Sequence, residues 1–216
     1  MSDLAEFITR LRQTLGDPAG ERYGESLLAE ALRKALAGYD QAAPLVRIQD
    51  VIFAGDGRQQ ALAGLGGLLS LQQVVYPYVD ENSPATHAYT WYWLDGVAVL
   101  DLSTRAAPRA GETARLTFSA RNTIAGLDGA AETSLPAEHD TALVEGAAAF
   151  AQMMRALSIN EAYNNRNTQL DLLAESRRRL ESYEEMLRRI GRLAFTPPGA
   201  FAAGGWRLDR WDGIRS

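Results

Sequence analysis

The chain of 216 residues contains no cysteine, two histidines and a single lysine, Lys34. Without thiols it can form neither disulfides nor thiolate metal sites, and a cysteine nucleophile is excluded. His87 and His139 lack the H-x-x-x-H spacing of a helical zinc pair, so a metal centre has no support. No apolar run approaches the roughly 18–20 continuous residues needed to cross a bilayer. Residues 1–12 are amphipathic and mixed in charge, unlike the basic start and apolar core of a signal peptide. A soluble chain, intracellular at synthesis and without a membrane partner, is expected.

Positive charge is scarce as well: the formal charge is −5 and the sequence pI about 5.2. A general nucleic-acid binder would carry a basic face to neutralise phosphates. The balance still suits a surface that lets DNA pass close by without gripping it. Almost all the positive charge is arginine, most simply explained by GC-rich coding. Arginine also favours planar, bidentate pairing with carboxylates at interfaces.

Catalytic arrangements are equally thin. No G-x-S-x-G elbow is present, and His139 and Asp140, adjacent on a helix, do not face each other. Gly64, Gly66 and Gly67 lack both the G-K-[ST] ending and the G-x-G-x-x-G spacing, and read as a flexible turn. Glu184 with Glu185, or Glu132 with Glu138, would be the carboxylates of a peptidoglycan hydrolase, a remote alternative. Charged helices ordinarily turn such residues to solvent. In the run Tyr89-Thr90-Trp91-Tyr92-Trp93, Trp91 and Trp93 share one strand face. They offer either a stacking platform for sugars or bases, as in a carbohydrate-binding module, or the favoured filling of a small sheet's core. A protein that is not an enzyme and needs no cofactor is expected.

What is present is periodicity, with enough apolar content (46%) for one core or a core plus a small satellite. Residues 2–15 predict a helix capped by Ser2, with Leu4, Ile8, Leu11 and Leu15 on one face beside Phe7, stopped by Gly16-Asp17-Pro18. A second helix should begin near Gly24 or Glu25, its stripe Leu27, Leu28, Ala31, Leu32, Ala35, Leu36 and Tyr39. The two suggest an αα-hairpin. From Leu45 the period shortens. Strands are expected over 45–53, 69–76, 89–94, 97–102 and 113–120, with Asp95-Gly96 as a type I′ hairpin turn. Together they read as an antiparallel meander of about four or five strands.

Helix returns near Pro136, with Leu143, Ala147, Phe150, Met154 and Leu157 as its core stripe and Gly146 on a small-residue face. The polar stretch 160–168 predicts a break. A last helix over about 169–193 carries Leu170, Leu173, Arg177, Leu180, Tyr183, Leu187, Ile190 and Ala194 near heptad spacing, flanked by Glu→Arg pairs at i,i+4. Beyond it the texture changes. The stretch 195–216 has little periodicity, yet it holds Phe195, Phe201, Trp206, Arg207, Arg210, Trp211 and Arg215, residue types that anchor interfaces.

The fold class is therefore α+β: an antiparallel helical bundle, from an N-terminal hairpin plus two C-terminal helices, with an inserted antiparallel β-meander and an extended C-terminal arm. The expected division is 1–40 helical hairpin, 45–121 β-rich insert, 135–193 helices completing the bundle, and 194–216 arm.

This order of elements, with Val74-Val75-Tyr76-Pro77 in the β-rich middle, leads to the stretch Leu135-Pro136-Ala137-Glu138-His139-Asp140-Thr141-Ala142-Leu143-Val144-Glu145-Gly146-Ala147-Ala148-Ala149-Phe150-Ala151. Followed by a charged last helix, it resembles the head-to-tail adaptor (connector, or neck) proteins of tailed phages. The resemblance covers most of residues 1–193 as pattern and order rather than as a strict motif. It implies a structural virion protein, made in the host cytoplasm, that forms a ring under the portal and extends the DNA channel. The ring would match a portal of roughly twelve-fold symmetry. The implied partners are the portal, further copies of the chain, a downstream tail or neck protein, and DNA in transit. The arm would order on the portal, with Trp206 and Trp211 entering its pockets. The β-rich middle is large for a minimal adaptor, which also fits a tail-docking surface or a place lower in the neck, as a tail-completion or base-plate subunit.

Overall fold

The computed structural model describes residues 2–86, 88–102, 107–163 and 166–194. It is an α+β protein with two hydrophobic cores, one among the helices and one between two small sheets.

Helix α1 (Leu4–Thr14) is capped by Asp3 rather than Ser2: the Asp3 carboxylate accepts the Glu6 N–H at 2.9 Å. The carboxylate reaches back from an extended residue directly before the first turn. Ser2 is used at longer range, its hydroxyl donating to Asp140 Oδ2 at 2.6 Å. At the other end Gly16 (φ 61°) supplies the left-handed residue of a Schellman stop. Its N–H reaches Gln13 O at 3.1 Å, and the Asp17 N–H reaches Arg12 O at 2.8 Å. Helix α2 (Glu25–Ala42) follows, burying Leu28, Ala31, Leu32, Ala35 and Tyr39, while Leu27 and Leu36 are half-buried at the margin.

The strands are β1 (Leu45–Ile52), β2 (Gln59–Ala61), β3 (Leu68–Val75), β4 (Ala85–Thr86), β5 (Tyr89–Leu94), β6 (Val97–Leu102) and β7 (Thr113–Ala120). Asp95 (φ 50°) and Gly96 (φ 79°) are both left-handed, the type I′ geometry expected between β5 and β6. The insert differs from a single meander. It forms a four-stranded sheet of order β1-β7-β3-β4 and a three-stranded sheet of order β2-β6-β5, all antiparallel. The last strand, β7, takes the centre because it offers buried side chains along one whole face: Ala114, Leu116, Phe118 and Ala120. These meet Leu68, Leu71 and Val74 of β3 and Ala98, Leu100 and Leu102 of β6, so the sheets face each other across a shared core.

Residues 121–136 return the chain to the helices and bury Ile124, Leu127 and Leu135 there. Pro136 is extended and precedes a 3₁₀ turn, Ala137–His139, so helix α3 starts only at Asp140 and runs to Tyr163. Val144 and the alanines Ala147, Ala148 and Ala151 join its core face with Leu143. Phe150 and Met154 lie at the margin, and Leu157, expected in the stripe, is exposed past the end of the helical core.

Helix α4 (Arg166–Ala194) packs along α3. Its buried seam passes through Ser176, Tyr183 and Ile190, leaving Arg177 and Leu170 exposed. The spacing 173-176-180-183-187-190 keeps a regular alternation of three and four, which position 177 breaks. The expected pairs Glu175–Arg179, Glu184–Arg188 and Glu185–Arg189 all form. Arg179 also bridges to Glu145 of α3 at 2.9 Å. Tyr183 is the keystone: its ring lies on Gly146 and its hydroxyl donates to the Ala35 carbonyl of α2. Burial pushes its phenol well above the usual tyrosine range.

Candidate functional site

All seven proposed partner-binding residues, Phe195, Phe201, Trp206, Arg207, Arg210, Trp211 and Arg215, lie outside the described residues, as do the arm to which they belong and His87. What can be located is where that segment begins. Gly191 sits against the Ala42 carbonyl, and Gly38 against the Tyr183 hydroxyl, so α4 runs alongside α2 in the same direction. The chain therefore leaves α4 next to the crossing from helices to strands.

That crossing is polar. Asp40 Oδ1 accepts both the backbone and the side-chain N–H of Asn122 at 2.8 Å, and Asn122 Nδ2 also donates to the Ala43 carbonyl at 3.1 Å. Two chain passages, one entering the strands and one leaving them, are thus tied side by side. Burial raises the Asp40 carboxyl above the ordinary aspartate range, against the bonds from Asn122. Beside it lies an open groove of 770 Å³ whose lining includes Arg33, Leu36, Asp40, Leu69, Gln72 and Arg121. Arg33 there forms a fork to Asp128, with Nη2 to Oδ1 at 2.7 Å and Nε to Oδ1 at 2.8 Å. The groove has paired charges and no nucleophile–base couple. Sequence reading passed over Asp40. The available signal was an acid in the last turn of a helix, where the macrodipole disfavours it.

The catalytic alternatives find little geometry. His139 is hydrogen-bonded through Nδ1 to the Tyr39 hydroxyl at 2.6 Å, a structural contact between α2 and the turn before α3. Glu184 and Glu185 are exposed and paired to arginines of their own helix, and Glu132 and Glu138 are exposed. Among the described residues no cluster of three His, Asp or Glu is placed to hold a metal ion. No described helix is long and apolar enough to cross a membrane.

The aromatic run departs from the core-filling expectation. Trp91 packs on the sheet core, but Trp93 is 55% exposed, on the edge strand one row before the turn, with β6 on one side only. The two rings meet edge-on, at 71° and 6.4 Å between centroids, so they do not present the coplanar faces of a stacking platform. Leu94 and Val97 at the same hairpin tip are 54% and 42% exposed.

A second apolar surface lies on β1. Its register pairs Val46, Ile48, Asp50 and Ile52 with Ser119, Thr117, Arg115 and Thr113, all on the face of the larger sheet turned away from the core. Val46, Ile48 and Ile52 are 55%, 66% and 69% exposed. Arg47 and Gln49 occupy the core-side positions, so the usual alternation of an edge strand is reversed. Next to the stripe, Arg115 forks to Asp50 (2.7 and 2.9 Å), reaches Glu81 at 2.7 Å and lies 3.9 Å over the Tyr78 ring. These bonds lower both carboxyls below their ordinary range.

No protein-family model matches the chain, and no curated protein does. Among solved structures it is similar to a chain in the neck of an empty gene transfer agent particle, computed with C6 symmetry. The identity is 18% and the TM-score 0.33, over 67% of this chain and 74% of that one. A chain in the virion of the native gene transfer agent particle gives 18% and 0.33, over 67% and 75%. One in the neck of the native particle, computed with C12 symmetry, gives 19% and 0.27, over 65% and 73%.

Proposed function

We propose that the chain is a non-catalytic structural protein of a tailed-phage-like neck: a head-to-tail adaptor that docks under a portal as a ring subunit and extends the DNA channel. Support comes from the order of elements and the chemistry of the surface, not from the partial overlaps with neck chains. The observation that carries it is the distribution of apolar surface. Two separate patches, on β1 and at the β5–β6 tip, expose large apolar side chains, while the groove beside Asp40 holds the Arg33–Asp128 ion pair and no nucleophile–base couple. Surfaces of that kind serve association. The acidic balance of the chain suits a channel wall that does not retain DNA. The sandwich-like insert is a large projection from the bundle, and it also fits a subunit that meets the tail, lower in the neck.

The test is a truncation. A chain ending at residue 194 should keep its helical circular dichroism and its cooperative melt, yet lose co-assembly with portal-bearing capsids. Unimpaired co-assembly of the truncated chain would remove residues 195–216 from the interface. Absence of the full chain from purified particles would refute the neck assignment itself.

A further inference from the structure

Strand β1 is a long sheet edge without the usual guards. Its eight residues pair with β7 with no break in register, and they include neither proline nor lysine. The other edge of the same sheet is β4, only two residues long. The end of the ladder shows which backbone groups are left open. Phe53 N donates to Glu112 O at 2.9 Å and Gly111 N donates to Phe53 O at 2.9 Å, so Phe53 turns its polar groups towards the β7 side. Alternation along the strand then directs Leu45, Arg47, Gln49 and Val51 to β7. It leaves the N–H and C=O of Val46, Ile48, Asp50 and Ile52 pointing out of the sheet.

The same four residues carry the outer side-chain row. Val46, Ile48 and Ile52 are more than half exposed, and the charge of Asp50 is already met by Arg115 of β7. Arg47 belongs to the core-side row and does not interrupt it. Open peptide groups beside a β-branched row suit an extended chain segment. Its backbone pairs along the edge while alternate side chains pack next to the row.

A candidate for that segment starts close by. A Cβ on Gly191 of α4 would lie 3.1 Å from the Ala42 carbonyl. Ala194 is one helical turn beyond Gly191, and Leu45 three residues beyond Ala42. The end of α4 and the start of β1 are thus at most about 20 Å apart. Residues 195–200, extended, span that distance, and residues 201–216 outnumber the eight of β1. They bring Phe201, Trp206, Leu208, Trp211 and Ile214. The groove beside Asp40 is less accessible to them. It is lined by Arg33, Ala37 and Asp40, on the face of α2 opposite Gly38 and Ala42, where α4 packs.

We propose that the segment 195–216 of the same chain docks along the open edge of β1, pairing with its backbone and covering Val46, Ile48 and Ile52. The inference concerns the free chain and goes beyond the ring-subunit reading, which it does not require.

The absence of cysteine lets one introduced thiol report on its own surroundings. Ile48→Cys places it in the stripe and Glu181→Cys on the solvent face of α4; both positions are exposed, so the fold is kept. In the full chain the thiol at 48 should react with an aromatic disulfide reagent several-fold more slowly than the thiol at 181. Phe201→Ala, Trp206→Ala and Trp211→Ala together, all outside the described residues, should bring the two rates level. Amide hydrogen exchange reads the backbone separately. Ile48 and Ile52 should be protected to the level of Gln49 in the parent chain and lose that protection in the triple variant. Equal thiol rates in the full chain would overturn the proposal, as would unprotected amides at Ile48 and Ile52. So would protection that survives the triple substitution, or protection that grows with protein concentration and thereby gives the edge to a second copy. Purified particles separate this inference from the neck assignment. A protected edge in a chain absent from particles would keep the docking and lose the neck, and an open edge in a chain that co-assembles would do the reverse.

Discussion

The contact of Tyr183 with Gly146 offers a quantitative check on the helical core. A Cβ built on Gly146 would lie 2.9 Å from three atoms of the Tyr183 ring. The ring cannot swing aside, because the residue is buried and its hydroxyl is held by Ala35 O. Gly146→Ala must therefore push α3 away from α4 and, in moving the ring, break that hydrogen bond. Overpacking of this kind costs about 1–3 kcal/mol, and the lost bond about 1 kcal/mol. Against that, replacing a mid-helix glycine by alanine returns about 1 kcal/mol. A net loss near 2 kcal/mol should lower the melting temperature by about 4–8 °C for a chain of this size. Equilibrium unfolding followed by circular dichroism measures it. In a Tyr183→Ala background the obstruction is gone, so the same Gly146→Ala change should become stabilising by about 1 kcal/mol. An equal loss in both backgrounds would refute the packing argument.

Asp17 and Asp40 should show opposite pH signatures. Burial opposes ionisation of Asp17, but three backbone N–H bonds, from Tyr23, Arg22 and Glu21, outweigh it and lower its pKa. Its contribution is present above the ordinary aspartate value of about 3.9 and is lost as pH falls through the lower folded-state value. Asp17→Ala should cost several degrees of melting temperature at pH 7, with the difference shrinking in acid. Asp40 is raised by burial, so its contribution is complete below about 3.9 and is lost as pH rises through the folded-state value. Asp40→Asn keeps an oxygen for the Asn122 donors and should match or exceed the parent at pH 7, the gap closing in acid; urea titrations across pH check both. Gly96→Ala places a side chain at φ 79° and should cost about 1–2 kcal/mol, visible as a changed tryptophan emission from the nearby Trp93.

Local features were legible before any coordinates. Gly16 after Leu15, Asp95-Gly96 between β-branched and aromatic runs, and the stripe of α2 each depend on a few adjacent residues, so composition and period suffice to place them. The errors share a different origin. Ser2 and Asp3 are both good caps, and the choice fell to Asp3 because Ser2 finds Asp140, far along the chain. The α4 seam ran through Ser176 instead of Arg177 because a small hydroxyl fits against α3 where a guanidinium does not. Trp93 shares its strand face with Trp91, but the sheet core ends one row short of it.

Residue order alone was enough to specify an α+β chain with helices at both ends and strands between, since dihedral preference and side-chain period act over one turn or one strand. It could not specify which face of β1 is covered, because Leu45 and Val51 lie on one side and Val46, Ile48 and Ile52 on the other. That choice belongs to β7, whose small and large side chains settle into the shared core and set the register of its neighbours. A strand's two faces are equivalent until a partner from elsewhere in the chain selects one. Here the selection leaves the more apolar face of β1 outside.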